Sequence, residues 1–510
     1  MLDICKKLFR TWNETNVQYC HWKSNEHLME GLTGLTDLDV YVSPQNKPTA
    51  EQGLIQNEYI KFVPQKGARY PLVDEWIGFD YETGRLIHVH LHYQIITGTK
   101  HSKEYIFPVD RQIIDTRILD PETSVYIASP DIEIIILYCR IVLKANNKKK
   151  IALGEDYARE IAYLKPRIHV DILRENCTAL MGVSSGTAFF QLISKDTLTA
   201  EEWYLIYKIA KKWLRKHKKC SALTAKVRRR YYRLRALKIA ILKKYFKKTP
   251  ISKKTLANAA PSICFLGADG SGKSTVSIEI QKWLNWKIEA QRFYLGSGDH
   301  YNSLLKKVLS YGASKMSSAP KKAPTGETET PTVATPKNVK KKQSLKTRIL
   351  KKGYNFLQSV YLCKISVRSY KTLKKAKKYQ KQGGIALFDR FPQNQFVGLY
   401  DGPKVADRCL QSGGGIFVKH KAKKEERAIA KAQKYQPDLM FKLLLPPEES
   451  VRRKPDHTLE EVRPKAEITE KLVFDHSEVI NIDATQPYEQ EILEIKRNIW
   501  RKLVQYDNRI

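Results

Sequence analysis

The sequence predicts an α/β protein: a five-stranded parallel sheet with helical crossovers in the second half of the chain, preceded by a smaller α+β domain. Three observations carry that expectation. The stretch Pro261 to Val276, PSICFLGADGSGKSTV, reads as a buried strand, a glycine-rich turn and a helix beginning near Lys273. A later strand, Ile385 to Phe388, runs into Asp389-Arg390-Phe391. Far upstream another strand carries Asp37 and Asp39, two residues apart and therefore on one face.

Within the first stretch, Gly267, Gly272, Lys273 and Ser274 satisfy G-x-x-x-x-G-K-[ST] in the strand-turn-helix setting that a phosphate-cradling loop requires. Gly267, Gly270 and Gly272 free the backbone to turn successive N–H groups inward, with Ser271 and Thr275 completing the phosphate-binding set. Lys273 then reaches the β and γ phosphates of ATP, and Ser274 offers its hydroxyl to Mg²⁺. A glycine-rich turn without a ligand would need the Lys-Ser pair and the apolar strand to be coincidences.

At 510 residues with 42% hydrophobic content, the chain exceeds one core and has the material for two or more. Eight cysteines lie far apart with no C-x-x-C pair, which suits reduced thiols in a cytoplasm. No basic-then-apolar leader is visible, and the longest apolar run, Ile132 to Leu143, is interrupted by Glu133 and Arg140. The expectation is a cytoplasmic protein, soluble or peripheral at the inner membrane face. A net charge of +37 implies anionic partners.

The first domain, residues 1–200, opens with a helical pattern at Leu2, Cys5, Leu8, Phe9 and Trp12. An amphipathic helix within Tyr19 to Val42 is expected to lead through Gly31 and Gly34 into the Asp37/Asp39 strand. A later strand, Arg85 to Ile95 (RLIHVHLHYQI), pairs with Glu75 to Tyr81 through a hairpin at Thr83-Gly84. His88, His90 and His92 share one face of it and can form a metal site with the two aspartates, or pack and hydrogen-bond under the sheet. Asp37 and Asp39 followed by His92-Tyr93 resemble an uncharacterised branch of the nucleotidyltransferase superfamily. That resemblance implies a third metal-holding acid where this chain has His90, so it leaves open a working transferase, a substrate-holding relic and plain structure. Ser129-Pro130-Asp131 then reads as a helix start.

Residues 201–257 read as a basic helical linker. No acid occurs between Trp203 and Ala268, and about twenty Lys and Arg crowd Lys208 to Lys254. Val227, Tyr231, Leu234, Leu237 or Lys238, Ile241 and Tyr245 recur at helical spacing, which suits an anionic membrane surface; nucleic acid is the weaker partner. The alternative is a helix that docks its apolar stripe on a neighbouring domain.

Residues 258–510 form the second domain. Strands are expected at Gln291 to Leu295, ahead of Gly296-Ser297-Gly298, at Ile385 to Phe388, at Asp438 to Leu445 and at Val479 to Ile482. A Pro-, Thr- and Lys-rich insertion at 314–344 cannot bury enough apolar surface to order itself, and a basic helix, Leu345 to Gln382, follows it. GADGSGKST together with Asp389-Arg390-Phe391 resembles thymidylate kinases over roughly the last half of the chain, implying the P-loop nucleoside/nucleotide kinase fold. The resemblance implies that Asp269, Arg390 and Phe391 face the acceptor, that Asp389 and Ser274 serve Mg²⁺, and that Arg452 and Arg453, with Lys454 and Arg463, close as a lid over the transferring phosphoryl group. It implies a nucleotide or small phosphate acceptor. After Phe391, however, the chain reads PQNQFVGLYDGP in place of the family's base-pocket sequence, which opens two alternatives: a sugar or lipid-linked glycan acceptor, or a non-catalytic NTP-gated membrane scaffold.

Overall fold

Strands apolar on both faces must be covered on both faces, and that requirement sets the layering of this chain. The computed structural model describes residues 1–510 except 146, 148–150, 152, 246–249, 297–344, 413–414 and 508–510. The expected insertion 314–344, the Ser297-Gly298 pair and the segment Phe246 to Lys248 lie outside the described residues.

The front part contributes β1 (Tyr19–His21), β2 (Leu38–Val42), β3 (Ile60–Val63), β4 (Val73–Phe79), β5 (Leu86–His92), β6 (Ile96–Thr97), β7 (Tyr105–Ile106), β8 (Ile118–Leu119) and β9 (Tyr126–Ile127). A further short strand, β10 (Thr255–Leu256), joins them across the antiparallel partner β3. The result is a mixed eight-stranded sheet in the order β10-β3-β4-β5-β2-β1-β9-β8, with β6 and β7 forming a separate ribbon. Register matters here: His90 on β5 lies opposite Asp39 on the parallel neighbour β2 and opposite Glu75 on the antiparallel neighbour β4. One row across three strands therefore reads Glu75, His90, Asp39.

The expected helix ahead of Asp37 is short, a single turn at Asn25–His27 and a five-residue helix Leu28–Leu32. The chain turns early because Gly34 takes φ of +75°. Helix Pro130–Lys144 starts where the sequence indicates, but the Ser129 hydroxyl lies 3.3 Å from Thr116 Oγ1 and does not cap it. Its apolar face nucleates a helical layer with the helices Val170–Met181, Val183–Ile193 and Ala200–Trp213.

The rear part is the expected five-stranded parallel sheet: β11 (Ser262–Gly267), β12 (Ala290–Tyr294), β13 (Ile385–Asp389), β14 (Leu439–Leu444) and β15 (Glu478–Asp483). Their order is β12-β13-β11-β14-β15, and every adjacent pair is parallel. All six residues of β11 are buried, as the apolar run demands, and its carboxyl end opens onto the phosphate loop.

The two parts share a core. Ile60, Phe62, Ile77, Phe79 and Leu86 of the front sheet cluster with Ile263, Phe265, Ile495 and Trp500 of the rear. Trp500, on the terminal helix Tyr488–Asp507, stacks on Phe79 at 5.8 Å and donates its indole N–H to the Glu58 carbonyl at 3.1 Å. Trp500→Ala removes a fully buried side chain and that bond together, so it is expected to cost about 3–5 kcal/mol. Urea denaturation followed separately on probes in the front and rear parts checks this; both transitions should move to lower urea.

Candidate functional site

The rear site grows from the end of β11. Gly270 takes φ of +91° and Gly272 φ of +85°, conformations that bring the loop backbone round to the helix Lys273–Leu284. A Cβ at Gly270 would sit 2.8 Å from the Ser450 carbonyl, so the residue must be glycine for a second reason. Lys273 is buried and its ammonium donates to the Ala268 carbonyl at 2.6 Å, folded back along the loop. Burial, with Arg390 nearby, pushes this lysine down to about 8. Ser271 is buried, whereas Ser274 and Thr275 are exposed at the helix start.

Across from the loop, β13 delivers Asp389, 2% exposed. Ser274 Oγ donates to Asp389 Oδ2 at 2.7 Å, and Arg292 Nη2 from β12 lies 3.4 Å from the same oxygen. Asp389 Oδ1 is buried without a hydrogen-bond partner among the described residues. A carboxylate oxygen left unpaired beside a serine hydroxyl is a donor set suited to Mg²⁺, so these two residues fit the ion that the loop motif calls for.

On the other side of the loop, Asp269 meets Arg390 Nη2 at 3.4 Å and Lys465 Nζ at 2.5 Å. Burial opposes its ionisation, yet Lys465, Lys273 and Arg390 hold the carboxyl down to about 2. Arg390 adopts φ of +96°, a strained conformation for a residue with a side chain, and its other branch lies 3.6 Å from Asp401. Phe391 is fully buried, edge-on to Phe474 at 5.9 Å; it anchors the strand end beneath the site instead of lining it. Arg452 and Arg453 both hold Glu449, Arg453 also donates to the Ala484 carbonyl, and Arg463 pairs with Glu448. Lys465, two residues beyond Arg463, reaches Asp269 of the phosphate loop.

The unusual PQNQFVGLYDGP sequence acquires a purpose. Gln393 Nε2 donates to the carbonyls of Phe396, Leu399 and Tyr400, tying the loop into one body. Tyr400 then turns its hydroxyl onto the phosphate loop, accepting from Gly267 N–H at 2.5 Å and donating to the Gly267 carbonyl at 2.7 Å. Sequence reasoning missed Tyr400, Arg292 and Lys465; for Tyr400 the signal was an aromatic hydroxyl set beside Asp401-Gly402-Pro403.

The front site gathers the predicted residues and one more. His88 Nδ1 lies 2.7 Å from Asp37 and His88 Nε2 2.7 Å from Glu75. His90 stands between Asp39 at 3.3 Å and Glu75 at 3.0 Å, and His92 Nε2 is 3.1 Å from Asp39. His90 stands where the sequence resemblance implies a third acid, and the neighbouring strand brings a carboxylate, Glu75, beside it. Burial works against the charge on His90, but Asp39 and Glu75 raise it to about 9. Asp37, His88 and His90 form one set that can close on a metal ion, and Asp39, His90 and His92 a second. The three carboxylates also meet lysines: Lys287 on Asp37 at 2.5 Å, Lys23 on Asp39 at 2.5 Å and Lys254 on Glu75 at 3.6 Å. Two of these lysines come from beyond residue 200.

No family model matches the sequence. Over 235 residues, 46% of this chain and 83% of the relative, it is 28% identical to the uncharacterised ATP-binding protein YghR of Escherichia coli K12. It is 27% identical over 240 residues to the uncharacterised ATP-binding protein YghS of the same organism, covering 92% of that protein. Among solved structures, deoxyadenosine kinase from M. mycoides with bound dATP matches 47% of this chain and 98% of its own, at 16% identity and a TM-score of 0.26.

Tyr400→Phe leaves both polar groups of Gly267 without the hydroxyl that joins them to the acceptor loop. The expected cost is about 1–3 kcal/mol of stability, with weaker nucleotide binding because the loop loses its brace. Thermal denaturation with and without ADP checks both effects.

Proposed function

We propose that the chain is an ATP- and Mg²⁺-dependent phosphotransferase, its catalytic domain spanning residues 258–510. The observation that carries this reading is the Ser274–Asp389 contact with its unpartnered carboxylate oxygen, lying where β13 and the helix after the phosphate loop converge. ATP binding by the relatives YghR and YghS, as their names state it, supports the same conclusion. Lys273 leaves the Ala268 carbonyl to meet the β and γ phosphates, and loop N–H groups around Ser271 to Thr275 hold them in place. Mg²⁺, held by Ser274 and Asp389, would neutralise charge developing between the β and γ phosphates. Arg390 and Lys465, now occupied by Asp269, are the cations that an acceptor phosphate would recruit. That chemistry favours an acceptor already bearing phosphate, a nucleoside monophosphate as in thymidylate kinases, over a bare sugar hydroxyl.

The front domain, residues 1–200, has the acids of a nucleotidyltransferase-like site, but each acid faces a lysine and the histidines bridge them. This arrangement supports a domain that holds a ligand rather than one that transfers nucleotides.

A second surface is favoured by a separate observation. Helix Ala222–Lys244 has nine Lys and Arg and no acid. Its inner side docks through Ala225, whose carbonyl accepts from the Ser102 hydroxyl, and through Tyr232, whose ring lies 5.4 Å from that of His101. The apolar stripe is not the docking face: Val227, Tyr231, Leu234, Leu237 and Tyr245 are each more than half exposed. An outward apolar stripe flanked by cations suits a peripheral stance on anionic lipid at the inner membrane face. No helix of the described residues is long and apolar enough to cross a membrane.

Lys273→Ala and Asp389→Asn are each expected to lower phosphoryl transfer by roughly 10²-fold or more while the far-UV circular dichroism stays unchanged. Labelled ATP offered with deoxynucleoside monophosphates, nucleosides and sugars reads this directly; full activity in either variant overturns the assignment, and transfer to sugars alone overturns the acceptor class. Leu234→Glu should abolish co-flotation with vesicles containing phosphatidylglycerol. Flotation equal to the unmutated protein, or equal on pure phosphatidylcholine, would remove the membrane reading.

A further inference from the structure

The front sheet and helix Pro130–Lys144 enclose a cavity of about 130 Å³ beside Asp39. Its wall carries Trp22, Lys23, Thr97, Lys103, Arg140 and Lys144. Three of these side chains present buried polar atoms with no partner among the described residues: Trp22 Nε1, Thr97 Oγ1 and Arg140 Nε. The residues concerned are 2%, 1% and 5% exposed, so water in bulk does not serve them. His92 Nδ1, on the same wall, is likewise buried and unpaired. Orphaned polar atoms are uncommon in folded interiors, and several around one cavity indicate a missing occupant.

The charges say what kind. Lys23 is paired with Asp39 at 2.5 Å and Arg140 with Glu160 at 3.0 Å. Glu75, also on the wall, is bound by His88 and His90. That leaves the ammonium groups of Lys103 and Lys144 with no carboxylate within ion-pairing distance among the described residues; Asp39 acts on both from farther off, and Lys103 Nζ lies 5.6 Å from the centroid of the Tyr70 ring. Burial and neighbouring cations press both downward, Lys103 to about 8 and Lys144 to about 6. Lys103 also sits at φ of +47°, a conformation disfavoured for a residue with a side chain, in the loop that directs it here.

We propose that this cavity is a binding site for a small phosphate monoester, separate from the phosphate loop. Two uncompensated lysines match a dianion, where a carboxylate would leave one cation over. A phosphate's three terminal oxygens can accept from Trp22, Thr97, Arg140 and both lysines together, more donors than a carboxylate's lone pairs serve well. Trp22 provides an aromatic wall for the organic part. None of this depends on the rear domain being a kinase or on the front domain being a transferase.

The test uses the full-length protein with ADP present throughout, so that the phosphate loop is already occupied. Glucose 1-phosphate, inorganic phosphate and unphosphorylated glucose are titrated while thermal stability and heat of binding are followed. Glucose 1-phosphate should raise the melting temperature and bind, and glucose should do neither. Lys103→Met and Lys144→Met should each weaken that binding about tenfold or more, and Thr97→Val less. Without ligand, Lys144→Met should melt at or above the temperature of the unmutated protein, because a half-buried amine with no carboxylate within ion-pairing distance is gone. Binding that survives undiminished in both lysine variants would overturn the proposal, as would an equal response to glucose, no response to either phosphate, or a Lys144→Met protein that melts lower without ligand.

Discussion

A carboxylate taken out of water must meet a cation or a set of donors, and both sites of this protein are built around that demand. Asp389 meets Ser274 and Arg292; Asp269 meets Arg390 and Lys465; Asp37, Asp39 and Glu75 meet Lys287, Lys23 and Lys254 along with three histidines. The constraint explains where the structure is strained. Arg390 takes φ of +96° and holds its side chain between Asp269 and Asp401. Removing any one partner leaves an ion exposed to a low-dielectric surround, so each cluster behaves as a unit.

The same demand joins the two halves. Lys287 follows the helix that begins in the phosphate loop and closes on Asp37; Lys254 precedes β10, which extends the front sheet, and approaches Glu75. One front-site carboxylate, Asp37, is therefore balanced by a residue of the rear half and another, Glu75, by one of the linker, and the shared apolar cluster around Phe79 and Trp500 joins the two parts. The path from Lys273 to Lys287 is a single helix and a short turn.

What the sequence made legible follows from how local each signal was. The phosphate loop, the five parallel strands and the hairpin of β4 and β5 rest on contiguous patterns, and the residues lie where those patterns put them. Glu75 was hidden because its relation to His90 is one of cross-strand register, which no spacing along the chain reveals. Lys465 and Tyr400 were hidden for a related reason, as their partners Asp269 and Gly267 are far away in sequence. The short helix before β2 fell below expectation because the amphipathic pattern there continues through a turn that Gly34 forces. The basic helix was read with its alternatives open, and the stripe at Val227 and Leu234 lies more than half exposed instead of docked on a neighbouring domain.

Part of the chain's positive charge answers buried acids. Nine further Lys and Arg sit on helix Ala222–Lys244, which has no acid of its own and whose docking through Ala225 and Tyr232 turns the apolar stripe away from the protein. Were solubility the only requirement, nothing would favour putting exposed Leu and Tyr between those cations, because apolar surface in water is a cost that charge nearby does not reduce. The stripe and the charge together are the pattern that the proposed stance on anionic lipid uses, and the helix is docked on the domain that carries the front cavity.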